Sequence, residues 1–182
     1  MSFKKILVAI DRSAMASVVF EQALELAQKD QARLMIYHSP NREDWGESWP
    51  LVQTGIGVYP VMAEELYQLQ EERLQQEIKR AQTWLQTYCQ QAMAQGIPVE
   101  FDCQVQSPGG RICELARTWG ADLIVLGRRG RSGLAEMVLG SVSNHVIHHA
   151  VCSVLVTQGG NEVMDKSAGK STAAVPTPTD AP

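Results

Sequence analysis

Hydrophobic residues of this chain are grouped in five short runs that are separated by longer amphipathic stretches. Most of the runs are rich in β-branched residues and carry apolar side chains at consecutive positions, while the third alternates. Runs of this kind are typical of strands in a parallel sheet that is covered on both faces. The predicted strands are Ile6–Ile10, Leu34–Tyr37, Val99–Val105, Leu123–Leu126 and Ser153–Val156.

Between these runs, apolar residues recur at spacings of three and four, which predicts helices. Ser13 is the predicted N-cap of a first helix that ends near residue 30. The longest predicted helix covers Ala63–Gln95, and two shorter ones cover Arg111–Trp119 and Ser141–Ala150. Alternating strands and helices with right-handed crossovers predict a doubly wound parallel α/β sheet, with helices on both faces. Its ligand crevice is expected at the carboxyl ends of the strands, where strand order reverses.

Two segments depart from this pattern. Residues 39–62 are too long for an ordinary connection and contain Trp45 and Trp49. They form either a surface excursion whose tryptophans cover the sheet, or a lid or partner surface. Residues 159–182 have few large apolar side chains and several prolines, which predicts a flexible tail. The folded domain is therefore expected to be residues 1–158.

Composition narrows the functional classes. The chain has 182 residues, 45% of them hydrophobic, and a formal charge of −4. That charge gives no overall attraction to nucleic acid or acidic lipid, so any anion site must be built locally. Four cysteines without a C-x-x-C pair indicate a reducing compartment. No apolar run has the length of a signal-peptide core or a membrane span, so a cytoplasmic protein is expected, without a nucleic-acid or membrane partner.

The segment after the fourth predicted strand carries the main chemical signal. Gly127, Gly130 and Gly140 are spaced G-x2-G-x9-G, and Ser141 follows as a helix begins. Glycines allow phosphate oxygens to approach backbone amides, and the first amides of a helix are unpaired. The hydroxyls of Ser141 and Ser143 can add donors. The pattern differs from a Walker A loop and from a dinucleotide fingerprint, and it predicts a phosphate cradle.

The segment Gly127–Ser143, together with the opening Lys4–Asp11, resembles the universal stress protein family and its ATP-binding subgroup with the G-x2-G-x9-G-S signature. The resemblance covers about residues 3–38 and 63–157. It implies a five-stranded sheet in the order 3-2-1-4-5 and a bound ATP or AMP, with or without Mg²⁺. It also implies a homodimer, for which residues 153–156, as an edge strand, would supply the pairing surface.

The resemblance also implies roles for individual residues. Asp11 would lie near the ribose or a metal, and it could equally cap the first helix. The backbone of Ser39 would recognise adenine, and the glycines would flank ribose and phosphate. The residues that match the family's site are Ala9, Ile10, Asp11, Ser39, Gly127, Gly130, Gly140, Ser141, Val142 and Ser143.

Three arginines, Arg128, Arg129 and Arg131, lie within the glycine-rich segment. They either contact a polyphosphate or second messenger, or form a solvated basic loop. Their charge keeps open an alternative ligand, a cyclic dinucleotide.

Catalytic groups are sparse. Glu136 is either a metal ligand or a solvated charge, and His145 and His149 share a helix face that could bind a metal or lie at a solvated helix end. Cys103 and Cys113 are interpreted as buried, inert thiols rather than redox-sensitive ones. Since no general base accompanies the cradle, the sequence favours a nucleotide-responsive stress protein that signals through its dimer or a regulatory partner. The alternative is a slow ATPase or phosphotransfer enzyme.

Overall fold

The computed structural model describes residues 2–40, 60–128 and 139–158. These residues form one sheet of five parallel strands in the order β3-β2-β1-β4-β5, with four helices. The predicted doubly wound architecture and its strand order are confirmed. The elements are β1 (Lys5–Ala9), α1 (Ala16–Asp30), β2 (Arg33–His38), α2 (Pro60–Ala94), β3 (Val99–Cys103), α3 (Pro108–Trp119), β4 (Leu123–Gly127), α4 (Ser141–His149) and β5 (Ser153–Thr157).

The sheet separates two hydrophobic cores. Ile6 and Val8 pack into a cluster with side chains of α1 and α2, such as Leu85. Leu7, between them, packs into a second cluster with side chains of α3 and α4, such as Ile112. Since successive strand residues point to opposite faces, a strand covered on both sides must be apolar at every position. This explains the uninterrupted apolar runs of β1 and β4.

The first helix begins later than predicted. The N-cap of α1 is Met15, without a side-chain capping bond, so the prediction of Ser13 as N-cap is wrong. The Asp11 carboxylate accepts hydrogen bonds from the Ser13 amide, at 3.0 Å, and from the Ser13 hydroxyl. The Ser13 carbonyl then accepts from the Ala16 amide at 3.2 Å. Ser13 is thereby held in a turn that precedes the helix.

Other boundaries differ by a few residues. Helix α2 begins at Pro60, ahead of Ala63, and α3 begins at Pro108, ahead of Arg111. Proline is compatible with the first turn of a helix because the amide it lacks has no partner there. Residues 41–59 of the predicted insert and the whole predicted tail lie outside the described residues. Within the part that the structure describes, no helix combines the length and apolar character needed to span a membrane.

Candidate functional site

The candidate crevice lies where β1 and β4 end side by side. Strand order reverses here, because β2 follows on one side of β1 and β4 pairs on the other. Ala9 is aligned with Leu126, so the residues after both strands emerge at the same sheet edge. Ligands of doubly wound sheets bind at such a point.

The end of β1 is tied to β2 by backbone bonds. The Ile10 amide donates to the Tyr37 carbonyl at 3.0 Å, and the Ile10 carbonyl lies 2.9 Å from Nδ1 of the buried His38 ring. The Ile10 side chain is itself buried, whereas Ala9 and Asp11 are half-buried. Ile10 therefore contributes mainly to the floor of the crevice.

Asp11 has one carboxylate oxygen engaged and one free of partners among the described residues. Oδ1 accepts both bonds from Ser13, while Oδ2 forms no hydrogen bond or ion pair with the described residues. The alternative that Asp11 caps the first helix is wrong, because α1 has Met15 as its N-cap and no side-chain capping bond; Asp11 instead holds Ser13 ahead of the helix. The second oxygen is available to a ligand hydroxyl or a cation.

The hydroxyl of Ser39 is used within the protein. It donates to the Gln106 carbonyl at 2.9 Å, which joins the loop after β2 to the loop after β3. The side chain thereby helps to hold the loop, while the backbone of Ser39 stays beside the end of β1.

The connection from β4 to α4 is closed by hydrogen bonds at its two ends. The Arg128 amide donates to the Thr157 carbonyl at 2.8 Å, and the Gly140 amide donates to the Arg128 carbonyl at 3.0 Å. Gly140 is the N-cap of α4, with no side-chain capping bond and no acidic residue in the first turn. The start of α4 is therefore held at the end of β4 without a side chain that would neutralise its positive dipole.

Ser143 and Ser141 differ in orientation, although both were predicted from the sequence to donate hydroxyl hydrogen bonds to a ligand. Ser143 is 2% exposed, and its hydroxyl lies 2.9 Å from the Gly140 carbonyl and 3.1 Å from the Arg128 carbonyl. That hydroxyl closes the connection. Ser141 is exposed, and Val142 packs against the core beneath α3 and α4.

Several predicted site residues belong to the part of the chain between β4 and α4 that the structure does not describe. Arg129, Gly130 and Arg131 lie outside the described residues, as does Glu136. Of the three clustered arginines, Arg128 alone is described, half-buried at the end of β4. The predicted phosphate contact of this cluster stays a prediction.

Sequence reasoning missed an ion pair that fixes the neighbouring loop. Nε and a terminal nitrogen of Arg111 lie 3.2 Å and 2.7 Å from Asp102 Oδ2, and the two side chains are 16% and 18% exposed. The bond to Asp102 raises the pKa of Arg111, with Glu114 adding to the effect. The only signal in the sequence was an aspartate within the third predicted strand and an arginine at the start of the next predicted helix.

The histidines of α4 are partly structural. The rings of His145 and His149 stack with centroids 4.2 Å apart, and His149 Nδ1 lies 2.8 Å from the His145 carbonyl. A Cβ at Gly109 would lie 2.9 Å from His145 Cδ2, so His145 packs against α3 rather than into solvent. Among the described residues, no group of three metal-ligating side chains assembles.

The cysteine environments support inert thiols. Burial, with Asp102 adding to it and Arg12 opposing it, raises the pKa of Cys103 to about 11. Burial also raises the pKa of Cys113. A raised pKa keeps the thiol protonated at neutral pH, and the protonated form is a poor nucleophile.

Together, the reversed strand order, the closed β4–α4 connection and the uncapped helix start define an α/β protein of the doubly wound class, with its candidate site at the switch point. Residues 2–158 match the model of the universal stress protein family. The chain belongs to this family.

Curated relatives cover nearly the same length. Universal stress protein Sll1388 of Synechocystis is 41% identical over 162 residues, which cover 87% of this chain and 99% of the relative. Universal stress protein YxiE of Bacillus subtilis is 32% identical over 156 residues, which cover 86% of this chain and 99% of the relative.

Solved structures share the fold. UspA from Lactobacillus plantarum superposes with a TM-score of 0.66 at 24% identity, covering 86% of this chain and 98% of that one. A universal stress protein solved in complex with cAMP superposes with a TM-score of 0.54 at 21% identity, covering 87% of this chain and 98% of that one.

Proposed function

We propose that this protein binds an adenine nucleotide, ATP or AMP, between the ends of β1 and β4, and acts as a regulatory stress-response protein. The observation that carries the proposal is the start of α4, which is uncapped by side chains and held at β4 by the bond from the Gly140 amide to the Arg128 carbonyl. Unpaired helix amides suit a phosphate. The universal stress protein solved with cAMP supports an adenine nucleotide as the ligand class.

The candidate residues divide by role. The amides of Ser141, Val142 and Ser143, with Gly127, Gly130 and the clustered arginines, hold the phosphates, while the bond from the Gly140 amide to the Arg128 carbonyl keeps this helix start in place. The backbone of Ser39 recognises the base, since its hydroxyl is already bound to Gln106. Asp11 Oδ2 accepts a hydrogen bond from a ribose hydroxyl or binds Mg²⁺, a cation that prefers oxygen ligands such as carboxylates. In this arrangement the ligand's charge is met by backbone dipoles and guanidinium groups.

A second candidate function is slow ATP hydrolysis or phosphotransfer. Of the described candidate residues, Asp11 alone carries a carboxylate, and its Oδ1 is engaged by Ser13. This inventory supports binding without rapid turnover. ADP formation measured with ATP in excess over protein separates the two functions, because an enzyme releases ADP over repeated turnovers while a sensor retains intact nucleotide.

The variant Gly140→Val tests the cradle. The backbone at Gly140 has φ −60° and ψ 155°, which valine adopts readily, so the added side chain should block phosphate rather than strain the helix start. We expect the affinity for ATP and AMP, measured by calorimetry, to fall by about a hundredfold or more, as expected when two charge-assisted hydrogen bonds are lost. Gly110→Val is the matched control, since a Cβ there meets nothing within 4 Å. Undiminished affinity in Gly140→Val, with a native circular dichroism spectrum, would refute the proposal.

The identity of the nucleotide has its own test. Gentle denaturation of the purified protein followed by mass spectrometry identifies a co-purifying ligand. Competition among ATP, AMP and a cyclic dinucleotide then ranks the candidates. A cyclic dinucleotide that displaces ATP at a lower concentration than AMP does would favour the alternative that Arg128, Arg129 and Arg131 suggest.

We also propose a homodimer formed through residues 153–156. β5 pairs with β4 at one edge of the sheet, and the neighbouring Ile147 and Val151 are 43% and 58% exposed. Pairing with a second copy would cover this edge. Sedimentation equilibrium at micromolar concentration should show a dimer, and a monomer alone would contradict the proposal.

The four free thiols support a cytoplasmic location, where a regulatory protein partner would bind one nucleotide state in preference to the other.

A further inference from the structure

A second groove opens on the other side of the sheet, between the start of α1 and the middle of α2. It has a volume of about 450 Å³, within the range of small-molecule sites. It lies with the α1 and α2 layer, whereas α4 and the proposed nucleotide cradle belong to the opposite layer. The polar and aromatic residues that line it are Arg12, Ser13, Ser17, Arg80, Trp84 and Tyr88.

The charge of this groove is positive in an acidic protein. None of the described residues that line it is acidic. Arg80 pairs with Glu77 on its own helix, but Arg12 has no carboxylate partner among the described residues. Its guanidinium lies 5.9 Å from the centroid of the Trp84 ring. A guanidinium beside an aromatic ring uses the ring face for attraction and leaves its N–H donors free to bind an anion.

The aromatic wall of the groove is held in place by the core. Trp84 meets the buried His38 ring edge-on with centroids 5.0 Å apart, and it meets Tyr88 at 5.2 Å. Tyr88 in turn packs on Phe20 at 4.8 Å. A wall built from interlocked rings is preorganised, so it can bind a flat apolar group without losing side-chain freedom.

From this combination we propose that the groove is a second ligand site, which takes a small phosphomonoester carrying a planar ring. Arg12 and the outward face of Arg80 would bind the phosphate, with the Ser17 hydroxyl as a further donor. Trp84 and Tyr88 would supply apolar surface for the ring. Because Arg12 directly follows Asp11, a ligand here would lie close to the end of β1, with its ring against the α1 and α2 layer. This proposal is independent of nucleotide binding in the crevice.

The test is a calorimetric titration of the full chain with phenyl phosphate, compared with inorganic phosphate. We expect saturable binding of phenyl phosphate that is tighter than that of inorganic phosphate, because only the former uses the aromatic wall. Arg12→Gln should weaken it by about tenfold or more, as expected for the loss of one charge-assisted hydrogen bond. Arg33→Gln is the matched control, since Arg33 is exposed and pairs with Glu100 at the amino end of the sheet.

Three outcomes would overturn the proposal. One is the absence of saturable binding to the wild-type chain. The second is an equal loss in Arg12→Gln and Arg33→Gln, which would indicate a general charge effect. The third is a loss in Gly140→Val without a loss in Arg12→Gln, which would place phenyl phosphate in the nucleotide crevice instead.

Discussion

The connections that follow β3 and β4 leave the same edge of the sheet but are held in different ways. After β3, the ion pair between Asp102 and Arg111 ties the end of the strand to the next helix through side chains. After β4, the ends of the connection are joined by a backbone bond between Gly140 and Arg128, with the Ser143 hydroxyl beneath it. The Asp102–Arg111 ion pair, which we call the frame, therefore fixes the first connection through side chains. The second connection instead leaves the start of α4 open to a ligand.

The largest effect on stability is expected from breaking this frame. Asp102→Ala leaves Arg111 without its closest partner, and we expect the free energy of unfolding to fall by about 2–3 kcal/mol. Urea denaturation measures the change. Glu100→Gln, on the same strand, removes an exposed ion pair with Arg33 at 3.7 Å while keeping an oxygen that can accept the 2.7 Å bond from the Trp119 indole, and it should cost less than about 1 kcal/mol. Equal losses would show that the frame has no special role.

The next effect concerns the contact that couples the two connections. Gly109 in α3 lies against His145 in α4, and a Cβ there would come within 2.9 Å of the ring. Gly109→Ala should lower the free energy of unfolding by about 1–2 kcal/mol, because the ring must shift in a packed layer. His145→Ala in the same chain should restore part of the loss. Thermal denaturation of the single and double variants checks this, and additive losses would contradict the steric explanation.

A smaller effect on stability should distinguish Ser143, which stabilises the β4–α4 connection, from Ser141, which is expected to contact the ligand. Ser143→Ala removes the buried hydroxyl bond and should lower the free energy of unfolding by about 1 kcal/mol. Ser141→Ala changes an exposed side chain and should leave stability unchanged while weakening ATP binding. Denaturation and calorimetry on both variants measure these quantities. The comparison fails if Ser141→Ala destabilises the fold as much as Ser143→Ala does.

The last effect is absent at neutral pH and appears only at alkaline pH, at the end of β3. Cys103 ends β3, and burial raises its pKa from 9.0 to about 11. The folded chain then holds this proton more tightly than the unfolded chain, so the free energy of unfolding falls as pH rises from about 9 toward 11. One such group gives a slope below about 1.4 kcal/mol per pH unit. Urea denaturation of Cys103→Ala should show a shallower decline, and an unchanged slope would exclude Cys103 as the cause.

Most of the fold could be predicted from local patterns. Short apolar runs marked the strands, and spacings of three and four marked the helices, because both faces of a parallel sheet must be covered. The start of α1 could not be predicted in the same way. Ser13 is a good N-cap by residue type, but its amide and hydroxyl donate to Asp11 and its Oγ accepts from the Met15 amide at 3.3 Å, so it is held in a bend before the helix. Competition between nearby polar groups is decided by geometry that a pattern does not contain.

The candidate site divides in the same manner. The glycine spacing and the position of Gly140 before a helix could be recognised in the sequence. A phosphate cradle of this kind uses backbone amides, so it depends on glycines and on a helix start, and both leave a local pattern. That Ser143 turns inward, that Ser39 is bound to Gln106 and that Arg111 reaches Asp102 were decided by tertiary structure. Side-chain hydrogen bonds form between whatever groups the packed layers bring within 3 Å, and that proximity exists only once the sheet and its helices have assembled.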